Sequence, residues 1–411
     1  MLDVNYIREN TELVKKKVAT KNYDPDLVDK LLDIDEKRRA LLGEVDELRQ
    51  QRNVAAKDRD VEKGKEVKQK LEELEPKLKK VEEEFKYYLV QIPNLPADGV
   101  PIGKGEEDNK ILREVGEKPN FDFTPKDHLE LAENLDLLDF EAGSRVTGSG
   151  FYYLKNEAVI LEVALIRYAL DFLQAKGFIP VTTPDIAREK YYTGTGYLPK
   201  GPEAQTYQIE GTDLGLIATA EITLAGFHEG HMLDPKSLPE KFAGYSHCFR
   251  MEAGSYGKYS KGLYRVHQFS KVEMFAFCKP DDSAKIHSEF LANEEEFFQS
   301  LGVPFRAIES CTGDLGAQAA KKIDLEAWMP GREGYGEVTS TSNTTDYQAQ
   351  NFNIKFKSEK DTEFVHTVNG TIVATSRAIV AILENFQQAD GSIKIPEVLQ
   401  KYTGFSEIKK K

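Results

Sequence analysis

Cys248-Phe249-Arg250-Met251-Glu252 and Arg265-Val266-His267-Gln268-Phe269-Ser270-Lys271-Val272-Glu273 decide the reading of this chain. Both runs alternate in character with the period of a β-strand. Between them, Ala253 to Gly262 carries Gly254, Gly257, Lys258, Lys261 and Gly262, which reads as a long basic loop. Paired antiparallel, the two strands put Arg250 and Glu252 on one face, and Arg265, His267, Phe269, Lys271 and Glu273 on one face. A sheet face closing a core would not carry that charge, but one bordering an anionic ligand would. The planar, permanently charged arginine fork suits phosphate or carboxylate oxygens, and Phe269 offers a surface on which a flat ring can stack. The plain alternative is a salt-bridged, solvent-exposed sheet.

Further along, Asn369-Gly370-Thr371-Ile372-Val373-Ala374-Thr375-Ser376-Arg377 reads as a strand of small residues running into an amphipathic helix, with Arg377 in its first turn. A cation there opposes the helix dipole, which hints at an anionic partner. Ala218-Thr219-Ala220-Glu221 reads as buried, and Gly336-Glu337-Val338-Thr339-Ser340-Thr341-Ser342-Asn343 alternates hydroxyls beside an acid. A carboxylate and a hydroxyl three residues apart can hold a hard cation such as Mg²⁺, which prefers oxygen.

Around these runs, short β-like stretches (Phe151 to Leu154, Phe242 to Phe249, Leu263 to Phe277, Phe352 to Phe356) mix irregularly with helical patterns at Glu157–Gln174, Ala284–Leu301 and Arg377–Gln387. The mixture predicts an α+β fold with an antiparallel sheet. P-loop and dinucleotide-binding glycine patterns do not occur. From about Leu27 to Ile92 the character changes. Leu31, Ile34, Leu41, Val45, Leu48 and Ala55 form one heptad stripe; Val67, Leu71, Leu74, Leu78, Val81, Phe85, Tyr88 and Ile92 form a second. Lys57 to Gly64 reads as the turn of an antiparallel two-helix hairpin, each helix about 27 residues and roughly 40 Å long. Pro76 is a potential kink. Asn5 to Thr20 reads as one short helix, and about Ile92 to Asp127 as a linker.

The 411 residues suit two or three domains. The formal charge of −14 disfavours nucleic-acid binding unless positive charge is gathered locally. It is gathered between Arg49 and Lys70, at the hairpin tip. Arg49, Arg52, Lys57, Arg59, Lys63, Lys65, Lys68 and Lys70 face only Asp58, Asp60, Glu62 and Glu66, a net +4. The most apolar stretch, Ala158 to Leu173, is interrupted by Glu162, Arg167 and Asp171, so no membrane span is expected. No signal peptide is visible at the N-terminus. Three widely spaced cysteines argue for a reducing compartment and against structural zinc.

Taken together, the motifs resemble the class II aminoacyl-tRNA synthetases. The FRxE…RxxQF pattern is similar to motif 2, the segment Gly177 to Pro184 to motif 1, and the run ending in Arg377 to motif 3. Thr219-Ala220-Glu221, Phe249 to Gly254, His267-Gln268-Phe269, Cys311-Thr312-Gly313-Asp314, Asn369-Gly370-Thr371 and Leu383-Glu384-Asn385 resemble the seryl-tRNA synthetase family of bacterial type, over nearly the whole chain. The hairpin resembles that family's tRNA-binding arm.

The resemblance implies a class II catalytic domain over 111–411 and an N-terminal tRNA-binding domain over 1–110, with the coiled-coil arm at about 27–92. It implies a cytoplasmic enzyme that makes seryl-adenylate from L-serine and ATP and passes the seryl group to the 3′ end of tRNA(Ser), and of tRNA(Sec) where present. Arg250, Glu252, Arg265 and Arg377 would be catalytic. ATP would meet Arg250, Met251, Glu252, Val266, Phe269, Glu337, Val338, Thr339, Ser340 and Arg377, with Mg²⁺ on Glu337 and Ser340. Serine would meet Thr219, Ala220, Glu221, Arg250, Glu273, Asn369 and Thr371. The eight tip cations would contact tRNA, and Pro184 would lie in a homodimer interface. Gly336 and Gln350-Asn351 stand where the family usually has basic residues, and the arm is shorter than is usual in bacterial members. The alternatives are a paralogue that charges tRNA poorly and a non-catalytic coiled-coil scaffold.

Overall fold

The computed structural model describes residues 1–197, 206–252, 262–359 and 361–410, so all of the basic loop but Gly262 lies outside the described residues. Two compact units emerge, Met1–Leu95 and Pro96–Lys411. Residues 96–110, expected with the first unit, go with the second. The Ala97 N–H donates to the Ala320 carbonyl (2.8 Å), and the Thr312 N–H to that of Pro101 (2.8 Å).

In the first unit, the expected Asn5–Thr20 helix is two: α1 (Val4–Glu9) and α2 (Thr11–Thr20), broken where Asn10 leaves helical geometry. The arm is α3 (Asp26–Asp58) and α4 (Val61–Leu89), 33 and 29 residues long. At 1.5 Å per residue they reach roughly 50 and 44 Å, more than the stripes predicted. The turn is shorter than expected, because Arg59 takes a left-handed conformation (φ 57°) and Asp60 caps α4 by accepting from the Lys63 N–H (3.0 Å). Gly64 therefore sits inside α4, and α4 runs on through Pro76. The heptad stripes meet as predicted, with Val45, Leu48, Val67, Leu71 and Leu78 buried together. Each such side chain contributes about 1.5–3 kcal/mol on full burial. At the base Asp35 is fully buried. Its Oδ2 accepts from Arg8 Nε (2.8 Å) and Arg39 Nε (3.1 Å), and its Oδ1 from Arg38 Nη2 (2.7 Å).

The second unit is built on an eight-stranded sheet. Its strands are β1 (Lys110–Val115), β2 (Ile179–Thr182), β3 (Glu240–Phe249), β4 (Gln268–Cys278), β5 (Phe305–Glu309), β6 (Lys321–Met329), β7 (Gly334–Thr345) and β8 (His366–Ala374). Their spatial order is β1-β5-β6-β7-β8-β4-β3-β2. All neighbours run antiparallel except β2 with β3. The expected linker thus contains an edge strand, β1. Of Phe151–Leu154 only Tyr153–Leu154 pairs as a strand, and Phe352 ends a helix, Tyr347–Phe352, ahead of a strand at Lys355–Lys357. Helices α5 (Glu157–Ala175), α6 (Ser283–Ser300) and α7 (Thr375–Asn385) pack against the sheet. Phe290, Phe297 and Phe298 of α6 join Met274, Ala276 and Val368 of the sheet in one core. Among the described residues no helix is long and apolar enough to cross a membrane, and Cys248, Cys278 and Cys311 are buried and unpaired.

Candidate active site

The antiparallel pairing of β3 with β4 sets Cys248 opposite Phe269 and Phe249 opposite Gln268. The strands end sooner than the alternation suggested. Arg250 lies just beyond β3, and Glu252 is in a left-handed conformation (φ 49°), so no shared strand face carries the pair. An ion pair between Arg265 Nη1 and Glu252 Oε2 (3.0 Å) brings the two ends together instead. The Arg250 N–H donates to the His267 carbonyl (3.0 Å), and its guanidinium sits 5.3 Å from the centre of the Phe269 ring. Arg377, in the first turn of α7, donates from Nη1 to Glu337 Oε1 (2.9 Å) and to the Glu337 carbonyl (3.0 Å). The carboxylate offsets the unfavourable placement of a cation at a helix start. Arg250, Glu252, Arg265, Val266, Phe269, Glu337, Val338, Thr339, Ser340 and Arg377 line one pocket. Met251 is absent from that lining and is exposed. The Thr339 side chain turns to the other side of the sheet and donates to Glu294 Oε2 (2.8 Å).

Beside this pocket lie two buried carboxylates. Glu221, at the start of the short helix Glu221–Ala225, accepts on Oε1 from Gln348 Nε2 (2.7 Å) and Asn369 Nδ2 (2.9 Å), and on Oε2 from the Tyr197 hydroxyl (3.1 Å). Burial, then the charge of Glu273, pushes its pKa up to about 7 against the partial relief of these donors. Glu273, on β4, pairs with Lys271 and accepts from the Thr371 hydroxyl (3.1 Å). Thr371 stands opposite Glu273 in the β8–β4 register. Thr219 is fully buried, and its hydroxyl accepts from the Glu221 N–H (3.2 Å). The Ala220 side chain packs in an apolar cluster with Leu224 and Phe275, so it cannot present a polar group to a substrate.

A larger cleft of about 840 Å³ shares Tyr264, Arg265, Glu337 and Arg377 with the first pocket and adds Lys322, Asp324, Arg306 and Arg332. None of these four was singled out from the sequence, because Lys322 and Asp324 lie on β6, which bears no recognisable motif. Asp324 stands opposite Ser340 in the β6–β7 register, and its Oδ1 is buried without a partner among the described residues. Glu337, Ser340 and Asp324 are hard oxygen donors and fit a small divalent cation. Among the described residues no three His, Cys, Asp or Glu form a metal cluster, so such an ion would need substrate oxygens to complete its shell. At Gly336 an added Cβ would come within 2.2 Å of Arg332 Nη2. The guanidinium of Arg332 therefore lies over the position where the family resemblance leads one to look for a basic side chain. Gln350 and Asn351 serve the local fold instead: Gln350 donates to Asp346 (2.8 Å) and Asn351 to the Gly194 carbonyl (2.6 Å).

Comparison with known proteins then gives the lineage. Residues 1–96 match the model for the seryl-tRNA synthetase N-terminal domain, and residues 205–386 match that for the class II tRNA synthetase core domain of the glycine, histidine, proline, serine and threonine enzymes. A serine–tRNA ligase of Dictyoglomus turgidum is 52% identical over the full length of both chains. The chain belongs to the seryl-tRNA synthetase family. A serine–tRNA ligase of Treponema denticola is 49% identical over 99% of this chain and 100% of its own. The crystal structure of a seryl-tRNA synthetase from Pyrococcus horikoshii complexed with ATP superposes with a TM-score of 0.91 at 43% identity, covering 99% of each chain. A Giardia lamblia prolyl-tRNA synthetase, at 17% identity and a TM-score of 0.56, shares the fold alone.

Two surfaces carry the remaining residues singled out from the sequence. All eight tip cations are exposed. Arg49 pairs with Glu75 (3.0 Å) and Lys70 with Glu66 (2.7 Å), which offsets part of the local charge. On the catalytic unit, Pro184 is exposed near the edge strand β2. Val159, Ile160 and Val163 of α5 and Ile179 of β2 leave apolar side chains uncovered.

Proposed function

We propose that this chain activates L-serine with ATP and transfers the seryl group to tRNA, with the side chains above in these roles. The serine carboxylate attacks the α-phosphorus of ATP and pyrophosphate leaves. The tRNA 3′-terminal hydroxyl then attacks the acyl carbon and AMP leaves. Arg250 meets the α-phosphate, where fixed positive charge stabilises the transition state. Phe269 stacks on the adenine and Glu252 accepts from its amino group. Arg265 and Arg377, each resting on a carboxylate, exchange that partner for the outer phosphates. Glu337 and Ser340 would hold a Mg²⁺, whose chemistry is to neutralise phosphate charge. Glu221 takes the serine ammonium, and Glu273 with Thr371 takes its hydroxyl.

The observation that carries the reading is the convergence of Arg250, Glu252, Phe269, Glu337 and Arg377 on one pocket beside two buried carboxylates. A scaffold has no use for that arrangement. The apolar face of α5 and β2, next to Pro184, supports a two-fold homodimer; light scattering should give about twice the 46.4 kDa chain mass. The eight exposed tip cations support a role in holding tRNA. Three buried free thiols suit the cytoplasm. Serine-dependent exchange of pyrophosphate into ATP tests the activation step: serine should support it and alanine should not. Absence of exchange with serine overturns the catalytic reading.

A further inference from the structure

Lys271 lines the pocket of Arg250 and Phe269 together with Thr371. It is 5% exposed, beside Glu273 at 2% and Thr371 at 7%. The three form a closed group: Lys271 pairs with Glu273 Oε2, Lys271 Nζ donates to Thr371 Oγ1 (3.2 Å), and Thr371 Oγ1 donates to the same Glu273 Oε2 (3.1 Å). Both donors reach one oxygen. Among the described residues no hydrogen bond reaches Glu273 Oε1. The ammonium and the Thr371 hydroxyl both held against Oε2 leave the other oxygen as the acceptor a ligand can use.

We propose that Lys271 is a positioning residue for amino-acid selection: it holds Glu273 by Oε2 and leaves Oε1 free of protein donors, so that the pocket takes a side chain that donates a hydroxyl hydrogen. The inference rests on the reading that Glu273 meets the serine hydroxyl. It adds that the selectivity belongs to the pair and not to Glu273 alone. An ammonium in contact with Oε2 also fixes the carboxylate's rotation, so that Oε1 is presented without a search over rotamers. Alanine offers Oε1 nothing, and the unpaired acceptor penalises it.

The test is pyrophosphate exchange on the full chain for Lys271→Met, Glu273→Gln and the double variant, with the KM for serine and the KM for ATP measured separately. Lys271→Met is expected to raise the serine KM about tenfold or more, the scale of one charge-assisted hydrogen bond, while the ATP KM stays within about twofold. Because Lys271 acts through Glu273, adding Lys271→Met to Glu273→Gln should raise the serine KM no further. If Lys271→Met leaves the serine KM unchanged while Glu273→Gln raises it, the role given to Lys271 is wrong. Equal changes in both KM values, or a double variant worse than Glu273→Gln, also overturn it. If Glu273→Gln itself binds serine normally, the reading of the pocket fails and not merely that of Lys271. Should Lys271→Met fold poorly with Glu273 left charged, a serine KM for the double variant above that of Glu273→Gln still overturns the role.

Discussion

Asp35 in the arm and Glu273 in the catalytic sheet are both buried carboxylates, and their surroundings treat them differently. Asp35 is met on both oxygens by three arginines, one from α1 and two from α3. Glu273 is met by Lys271 and Thr371 on one oxygen only. A carboxylate whose two oxygens are both taken by permanent cations has its charge already neutralised and nothing left to offer a cationic ligand, so Asp35 is architecture that ties α1 to α3. A carboxylate bonded on one oxygen only retains binding capacity on the other. The difference lies in how many donors the fold supplies, and not in burial or residue type.

The sharpest way to break the comparison is to truncate each. Glu273→Ala should lower serine activation about ten- to hundredfold, the worth of one charged hydrogen bond, and should also lower the urea midpoint, because it leaves the buried Lys271 ammonium without its counter-ion. Asp35→Ala should leave serine activation untouched and cost about 2 kcal/mol in the first unit, less than a wholly buried pair because Arg8 and Arg39 reach solvent. If Asp35→Ala impairs exchange, the division between architecture and binding fails.

A second contrast concerns the arm tip. Deleting about Arg49 to Lys70 and closing the hairpin with a short turn should leave serine-dependent exchange intact. It should raise the tRNA KM about tenfold at physiological salt and flatten its salt dependence, since fewer phosphates are neutralised. Charging kinetics over a salt series check this. An unchanged tRNA KM makes the arm a spacer.

Glu221 sharpens the comparison from the side of pH. Its pKa is raised to about 7, above the unfolded value, so the protonated form dominates below that pH in the folded chain. A substrate ammonium needs the ionised form. The serine KM should therefore rise as pH falls through about 7, by several-fold between pH 8 and 6, and Glu221→Gln should abolish that dependence. The same shift makes ionised Glu221 a stability cost that grows as pH rises from the unfolded carboxyl range to about 7. Glu221→Gln should accordingly flatten the loss of urea midpoint over that window. The smallest effect is expected at Lys70: its pair with Glu66 is fully exposed, and Lys70→Ala should leave thermal unfolding unchanged.

The arm was legible because its information is periodic. Leu71 and Leu78 need only the right spacing to find Val45 and Leu48, and a heptad reports that spacing directly. Its ends were less so, since Arg59 in a left-handed turn replaces the glycine-bearing turn that the composition suggested. The strands β3 and β4 were legible from alternation, yet the shared charged face was not. Glu252 leaves the strand, and Arg265 reaches it through an ion pair that no local pattern encodes.

What the sequence by itself determined is the α+β class, the coiled-coil arm, the family and the side chains that carry charge into the site, because these follow from periods and motifs contained in short stretches. What only the tertiary structure decided is which of those charges are partnered. Gln348 and Asn369 reach Glu221 across 127 and 148 residues of chain, Arg332 lies over Gly336, and Thr339 turns away to Glu294. Lys271 and Thr371, 100 residues apart, close on Glu273 only because β8 pairs with β4 in one register. Hydrogen bonds and ion pairs act over about 3 Å, a distance set by the packing of distant segments, and a linear sequence does not carry it.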